Sequence, residues 1–174
     1  MVLMNVGNEK MKFWNRLVVI TSIAFLCVGC DQGTKTLASN YLPKFYMDSY
    51  FYDIFRVGYA ENIGAFLGMG NSLADEHRFL LFTVLVSLLL AALFIYVVCA
   101  KNLDTLSIVA ITLLLSGGGS NVYDRIVNDG AVIDFLNIGF GNVRTGVFNV
   151  ADVAIMTAGL LLILSNLKSR ESNQ

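Results

Sequence analysis

Four stretches of the chain are apolar enough to leave water, and they differ in how cleanly they do so. Phe79 to Ala100 carries no charge and meets the ~20 residues that a bilayer core demands of a helix. Val147 to Leu167 is of similar length but holds Asn149 and Asp152 near its start. Leu17 to Gly29 and Thr105 to Leu115 are shorter, and reach spanning length only by running on into "CDQGTKTLA" and "SGGGSNVYDR". The pattern predicts four membrane helices, at about 17–37, 79–100, 105–122 and 147–167, in one integral-membrane domain covering the chain.

Two longer connections remain, at about 40–78 and 121–146. In the first, "YFYDIFRVGYAEN" mixes aromatic and β-branched residues with turn formers, which predicts short strands. The second, "AVIDFLNIGFGNVRTGVF", has strand-like runs broken by Gly139, Gly141 and Gly146. Both are expected to build a small structure on the membrane surface. Lys10, Lys12 and Arg16 precede the first span, Lys101 lies between the second and third, and Lys168 and Arg170 follow the fourth. Positive charge marks the cytoplasmic side, so both ends of the chain are expected there and both connections face outward. Trp14 suits an anchor at the cytoplasmic interface.

Composition agrees with this reading. Hydrophobic residues make up 56% of the 174 and charged residues only 14%, against about a quarter charged in a soluble domain. A net charge of −1 without a basic stripe argues against nucleic acid as a partner. Cys27, Cys30 and Cys99 all lie in or beside apolar runs and read as small packed side chains rather than redox or metal groups. His77 is the one histidine, which excludes a multi-histidine metal site and leaves it an interfacial role.

Polar residues gather at the outward ends of the spans. Asp31 and Lys35 end the first, and Asn121, Asp124 and Arg125 end the third. Asp134 follows in the second connection, and Asn149 and Asp152 open the fourth span. Ionisable groups at membrane depth are costly and face a bundle interior or a wet cavity, so a shared site is the economical reading. Asp31 and Lys35 are spaced to pair on one helix face. The triplet Gly117 to Gly119 marks close helix approach or an unwound helix end. Asp134, between Ile133 and Phe135, has no adjacent cation. Asp152 also lacks one, and its spacing after Asn149 fits a helix cap as well as a catalyst. Two carboxylates held together would divide the labour of an acid and a base.

These motifs resemble those of the signal peptidase II (lipoprotein signal peptidase) family, bacterial integral-membrane aspartyl peptidases. "DQGTK", "ENIGAF", "SNVYDR", "VIDF" and "FNVADVAI" occur in the family order along the chain. The resemblance implies four transmembrane helices with both termini cytoplasmic, an outward β-rich cradle and a short surface helix. It implies Asp134 and Asp152 as the catalytic dyad, with Asn62, Gly64, Asn121, Asp124, Arg125, Asn149 and Ala151 shaping the site or positioning substrate. Asp31 and Lys35 would be supporting residues. The implied reaction removes the signal peptide of a diacylglyceryl-modified prolipoprotein just before the lipidated Cys, among membrane lipids, near the outer face of the bacterial inner membrane. No metal or organic cofactor is implied.

The chain also departs from the family pattern. Ser120 stands where Gly is usual, Phe66, Leu67 and Gly68 follow "NIGA", and "VNDG" lengthens the turn before Asp134. A small transporter or a non-catalytic membrane scaffold using the same acids is the alternative. The stretch "FLCVGCDQGTK" also resembles a lipoprotein cleavage site at Cys30. Cys27 replaces the usual Leu there, however, and three further apolar runs follow, so Cys30 is expected to be an ordinary helix residue.

Overall fold

The computed structural model describes residues 11–64 and 69–171. Lys10 and the Phe66–Gly68 departures lie outside the described residues. Four helices are long and apolar enough to cross a membrane. The first is α1, Phe13–Tyr41. The second is continuous from Asp75 to Cys99 and comprises α2 (Asp75–Phe79), a π-helical turn (Leu80–Leu85) and α3 (Val86–Cys99). The third is α4, Thr105–Val127, and the fourth is α5, Val150–Glu171.

The two weak apolar runs become the two helices that carry the interior. α1 continues unbroken past Cys30 to Tyr41, and α4 continues through the glycine triplet to Val127. Asn121, Asp124 and Arg125 therefore lie on a helix, not in a connection beginning at 121. Their polar side chains interrupt the hydropathy signal without interrupting the backbone, because each finds a partner inside the bundle. α5 conversely starts later than 147, since Phe148 is still paired with Leu136 of the sheet. The expected surface helix is represented among the described residues by Asp75–Phe79, which runs directly into the second span.

The bundle is organised around α4, which packs against α1, α3 and α5. Small residues make this possible: Ser116 and Gly117 on α4 and Ala151, Ala154 and Ala158 on α5 are all buried. A Cβ placed on Gly117 would meet the Ala151 carbonyl oxygen at 2.5 Å, so only glycine admits this approach. Association in lipid relies on such packing because apolar surface gains little by leaving lipid for protein. Phe25, Leu26, Leu88, Leu89, Leu160 and Ile163 accordingly remain on the outside.

Strand β1 (Asp48–Tyr50) and strand β2 (Phe55–Asn62) come from the first long connection, and β3 (Val132–Phe140) and β4 (Val143–Arg144) from the second. They form one antiparallel sheet in the order β1-β2-β3-β4. α4 hands over to β3 through a tight turn in which Gly130 takes φ +90° and donates its N–H to Arg125 O at 2.9 Å. The inserted "VNDG" is this turn.

At the opposite end of the bundle, Arg16 is buried and donates to Val97 O at 3.3 Å and Val98 O at 3.4 Å. A residue read as an orientation charge thus also satisfies carbonyls at the end of α3, which a helix leaves without partners. Asp104 caps α4 by accepting from Ser107 N at 2.9 Å and holds Ser165 of α5 at 3.0 Å. Gly117→Val is expected to cost about 1–3 kcal/mol through overpacking, read as a lowered Tm in detergent, whereas Gly119→Ala, where an added Cβ has open space, leaves Tm near the parent value.

Candidate active site

The polar residues converge where the C-terminal ends of α1 and α4 and the N-terminal end of α5 meet strands β2 and β3. Lys35 lies at the base. Its ammonium contacts Asp31 Oδ2 at 2.7 Å, Asp124 Oδ2 at 2.8 Å and Asn121 Oδ1 at 2.8 Å. Lys35, Asp31 and Asp124 are all at most 1% exposed. The expected pairing of Asp31 with Lys35 is present, but it is half of a three-residue cluster.

Each carboxylate of the cluster also receives donors from elsewhere. Asp31 accepts from Ala151 N at 2.8 Å and from Ser120 Oγ at 2.6 Å. Asp124 accepts from Gln32 Nε2 at 2.8 Å and from Ile133 N at 3.2 Å. Gln32 further donates to Ser120 Oγ at 2.9 Å. The cluster therefore joins α1 to α4, to the start of α5 and to β3. Ala151 contributes a backbone N–H to Asp31 from a fully buried position. Gln32 was not singled out from sequence, although it adjoins Asp31. Ser120 appeared only as a departure, yet its hydroxyl is built into the network.

Asn121 leads from this cluster to the two unpaired acids. Its Nδ2 donates to Asp152 Oδ1 at 3.0 Å, and its Oδ1 also accepts from Asn149 Nδ2 at 3.1 Å. Asn149, fully buried, donates to Asp134 Oδ1 at 2.7 Å. Asn62 donates to the other oxygen of Asp134 at 3.0 Å, and its own Oδ1 accepts from Gly64 N at 3.1 Å. In the sheet register Asn62 lies opposite Val132, two residues from Asp134, so both side chains share one face.

Asp152 forms a reciprocal cap with Asn149. Its N–H donates to Asn149 Oδ1 at 2.9 Å, while its Oδ2 accepts from Asn149 N at 3.2 Å. This is the capping-box arrangement of a helix N-terminus. Capping occupies one carboxylate oxygen and leaves the other for Asn121. Each oxygen of Asp134 and of Asp152 thus accepts one N–H. Burial, and then the negative charge of Asp152, push the Asp134 carboxyl up to about 7, against hydrogen bonds from Asn62 and Asn149 that favour ionisation.

Arg125 borders the site on its open side. It donates to Gly64 O at 2.6 Å and Asn121 O at 3.3 Å, and lies 5.8 Å from the Phe82 ring centroid. A cavity of about 310 Å³ opens beside it, lined by Ile63, Arg78, Phe79, Thr83 and Ile126 among others. No cluster of His, Cys, Asp and Glu suited to a metal ion occurs among the described residues.

The sequence profile of the family described as "Signal peptidase (SPase) II" matches residues 23–168. The chain belongs to the signal peptidase II family. That family supports an aspartic peptidase that processes lipoprotein signal peptides. The chain is similar to the lipoprotein signal peptidase of Borrelia hermsii, with 28% identity over 165 residues, covering 91% of this chain and 95% of the relative. It is likewise similar to that of Francisella tularensis subsp. novicida, 28% identical over 171 residues, covering 98% and 100%. A solved bacterial membrane enzyme shares the fold at a TM-score of 0.75 and 23% identity, covering 95% of each chain. As a family member with four apolar helices, the chain is a multi-pass membrane protein.

The proton held by Asp134 has a stability consequence. In the unfolded chain it leaves near the ordinary value of 3.8, and in the folded protein near 7. Between these values the folded state binds more protons, so stability falls as pH rises from about 4 to about 7 and levels off above. Relative to Asp134→Asn, the parent is expected to lose up to ~1.4 kcal/mol per pH unit across that window. Unfolding in detergent at pH 4.5, 6 and 8 measures it; a difference independent of pH would show that Asp134 holds no such proton.

Proposed function

We propose that this chain removes the signal peptide from diacylglyceryl-modified prolipoproteins, cutting just before the lipidated Cys, with Asp134 and Asp152 as its catalytic dyad. The observation that carries the reading is the linkage of the two acids through Asn149 and Asn121, with Asn62 on the remaining oxygen of Asp134. All three amides present N–H groups to carboxylate oxygens. Such an arrangement holds two carboxylates together while only one of them is ionised.

The mechanism follows from that asymmetry. Asp152, at a helix N-terminus where negative charge is stabilised, takes a proton from water, and the hydroxide adds to the scissile carbonyl carbon. Asp134 donates its proton to the carbonyl oxygen as the tetrahedral intermediate forms. Collapse of the intermediate returns a proton from that oxygen to Asp134, and Asp152 gives its proton to the departing nitrogen. Acid and base are thereby restored for the next cycle. No step calls on a metal or organic cofactor.

Asn62, Gly64, Asn121, Asp124, Arg125, Asn149 and Ala151 shape the site, with Asp31 and Lys35 beneath it as support. The cavity beside Arg125 and the apolar helix faces next to it suit a peptide with an acylated neighbour. Membrane lipids surround the enzyme. Lys12, Lys101, Lys168 and Arg170 lie toward one end of the bundle and the acids toward the other, which supports cytoplasmic termini and a site near the outer face of the bacterial inner membrane.

Purified protein given a diacylglyceryl-modified prolipoprotein should release its signal peptide. Asp134→Asn and Asp152→Asn should each lower kcat by at least ~10³-fold while remaining folded, as expected when members of one catalytic unit are removed singly. Full activity in either variant would falsify the dyad. Because Asp134 must carry its proton, kcat should decline as pH rises through about 7; a rate that keeps climbing to pH 9 would contradict its role as the acid.

A further inference from the structure

Which carboxylate serves as base depends on a group that touches neither. Asn121 stands between the buried ion cluster and the dyad, and the oxygen and nitrogen of an amide are close to interchangeable in shape. Here its Oδ1 accepts from Lys35 Nζ at 2.8 Å and from Asn149 Nδ2 at 3.1 Å, while its Nδ2 donates to Asp152 Oδ1 at 3.0 Å. Turning the amide over would set its N–H groups against an ammonium and a second amide N–H. It would also set its oxygen against a carboxylate oxygen. An ammonium has only protons to offer, so Lys35 cannot adapt to the reversed amide.

The other two asparagines are oriented in the same manner, but by the backbone. Asn149 Oδ1 accepts from Asp152 N at 2.9 Å, and Asn62 Oδ1 from Gly64 N at 3.1 Å. Lys35 is the side chain among these three obligate donors. The charged groups that act on Asp152 are Asp31 and Lys35 on α1, Arg125 on α4 and Asp134 on β3, and Asp124 on α4 is paired with the same Lys35. Two aspartates on the helices offset one lysine and one arginine, so their summed charge does not choose between the acids. The direction of the Asn121 amide does.

We propose that Lys35 is a positioning residue for this reaction: acting through Asn121, it aims an N–H at Asp152 and makes Asp152, not Asp134, the carboxylate that takes the proton from water. The proposal rests on the dyad reading above. It assigns the buried lysine a task that a mere clamp between helices would not have.

The test uses the charge-balanced double variant Lys35→Met/Asp31→Asn, which removes one charge of each sign and the only donor that Lys35 offers Asn121, together with Asn121→Ala, which keeps all three charges of the ion cluster. Folding is followed by thermal unfolding in detergent, and kcat, KM and their pH profiles with a diacylglyceryl-modified prolipoprotein. Both variants should lose about 10²-fold in kcat, the lower range for a misdirected general base, with KM within about threefold of the parent. The acidic limb of the kcat profile should move up by about one pH unit or more. Combining the variants should add no further loss, since both act through one amide. A folded double variant with the parent's kcat and acidic limb would overturn the proposal. Should that variant not fold, an unchanged acidic limb in Asn121→Ala overturns it equally. Failure of the parent to cleave the substrate would instead remove the dyad reading on which the proposal stands.

Discussion

A lysine ammonium buried among two carboxylates and an amide is the constraint around which the polar half of this protein is arranged. Moving a charge out of water costs several kcal/mol even after relaxation, and Lys35 is 1% exposed. That cost is offset only if every proton of the ammonium finds an acceptor and both carboxylates find further donors. The donors come from four elements: Gln32 on α1, Ser120 on α4, the Ala151 N–H of α5 and the Ile133 N–H at the start of β3. Satisfying one buried charge therefore sets the relative placement of three helices and the sheet. Asn121, whose oxygen completes the lysine's shell, is carried into position by the same requirement.

Packing in the apolar half obeys a different rule. There the bundle gains little from hiding apolar surface, because lipid tails solvate it equally well. Close approach matters instead, and Gly117 against Ala151 provides it. This contact lies directly beneath the ion cluster, three residues before Ser120 on α4 and one residue before Asp152 on α5. Helix contact and site geometry are thus coupled: a side chain at Gly117 would push α5 outward and take the Ala151 N–H away from Asp31.

Asp152 illustrates how one residue meets two demands. An acid in the first turn of a helix caps it, and an acid beside another acid is a candidate for proton transfer. These looked like competing explanations when only spacing was available. The carboxylate has two oxygens, and the fold assigns one to the Asn149 backbone and the other to the Asn121 amide. A cap that fixes the orientation of the carboxylate is compatible with both demands.

Composition and hydropathy pointed to a membrane protein with two firm spans and two weak ones, since the bilayer demands long apolar helices irrespective of how they pack. Motif order was sufficient to identify the family, and the clustering of Asp, Asn and Lys at the outward helix ends was legible because charges near lipid require company. Helix limits were less legible: partnered polar residues extend α1 and α4 beyond their apolar runs, and hydropathy does not register partners. Gln32 and Ser120 were passed over for the same reason, as their importance lies in which oxygen or nitrogen they face. Sequence by itself determined which residues would be gathered. Tertiary structure alone decided that Lys35 joins Asp124 as well as Asp31, and that Asn121 turns its N–H toward Asp152. Hydrogen bonds have direction, and direction exists only once the chain is folded.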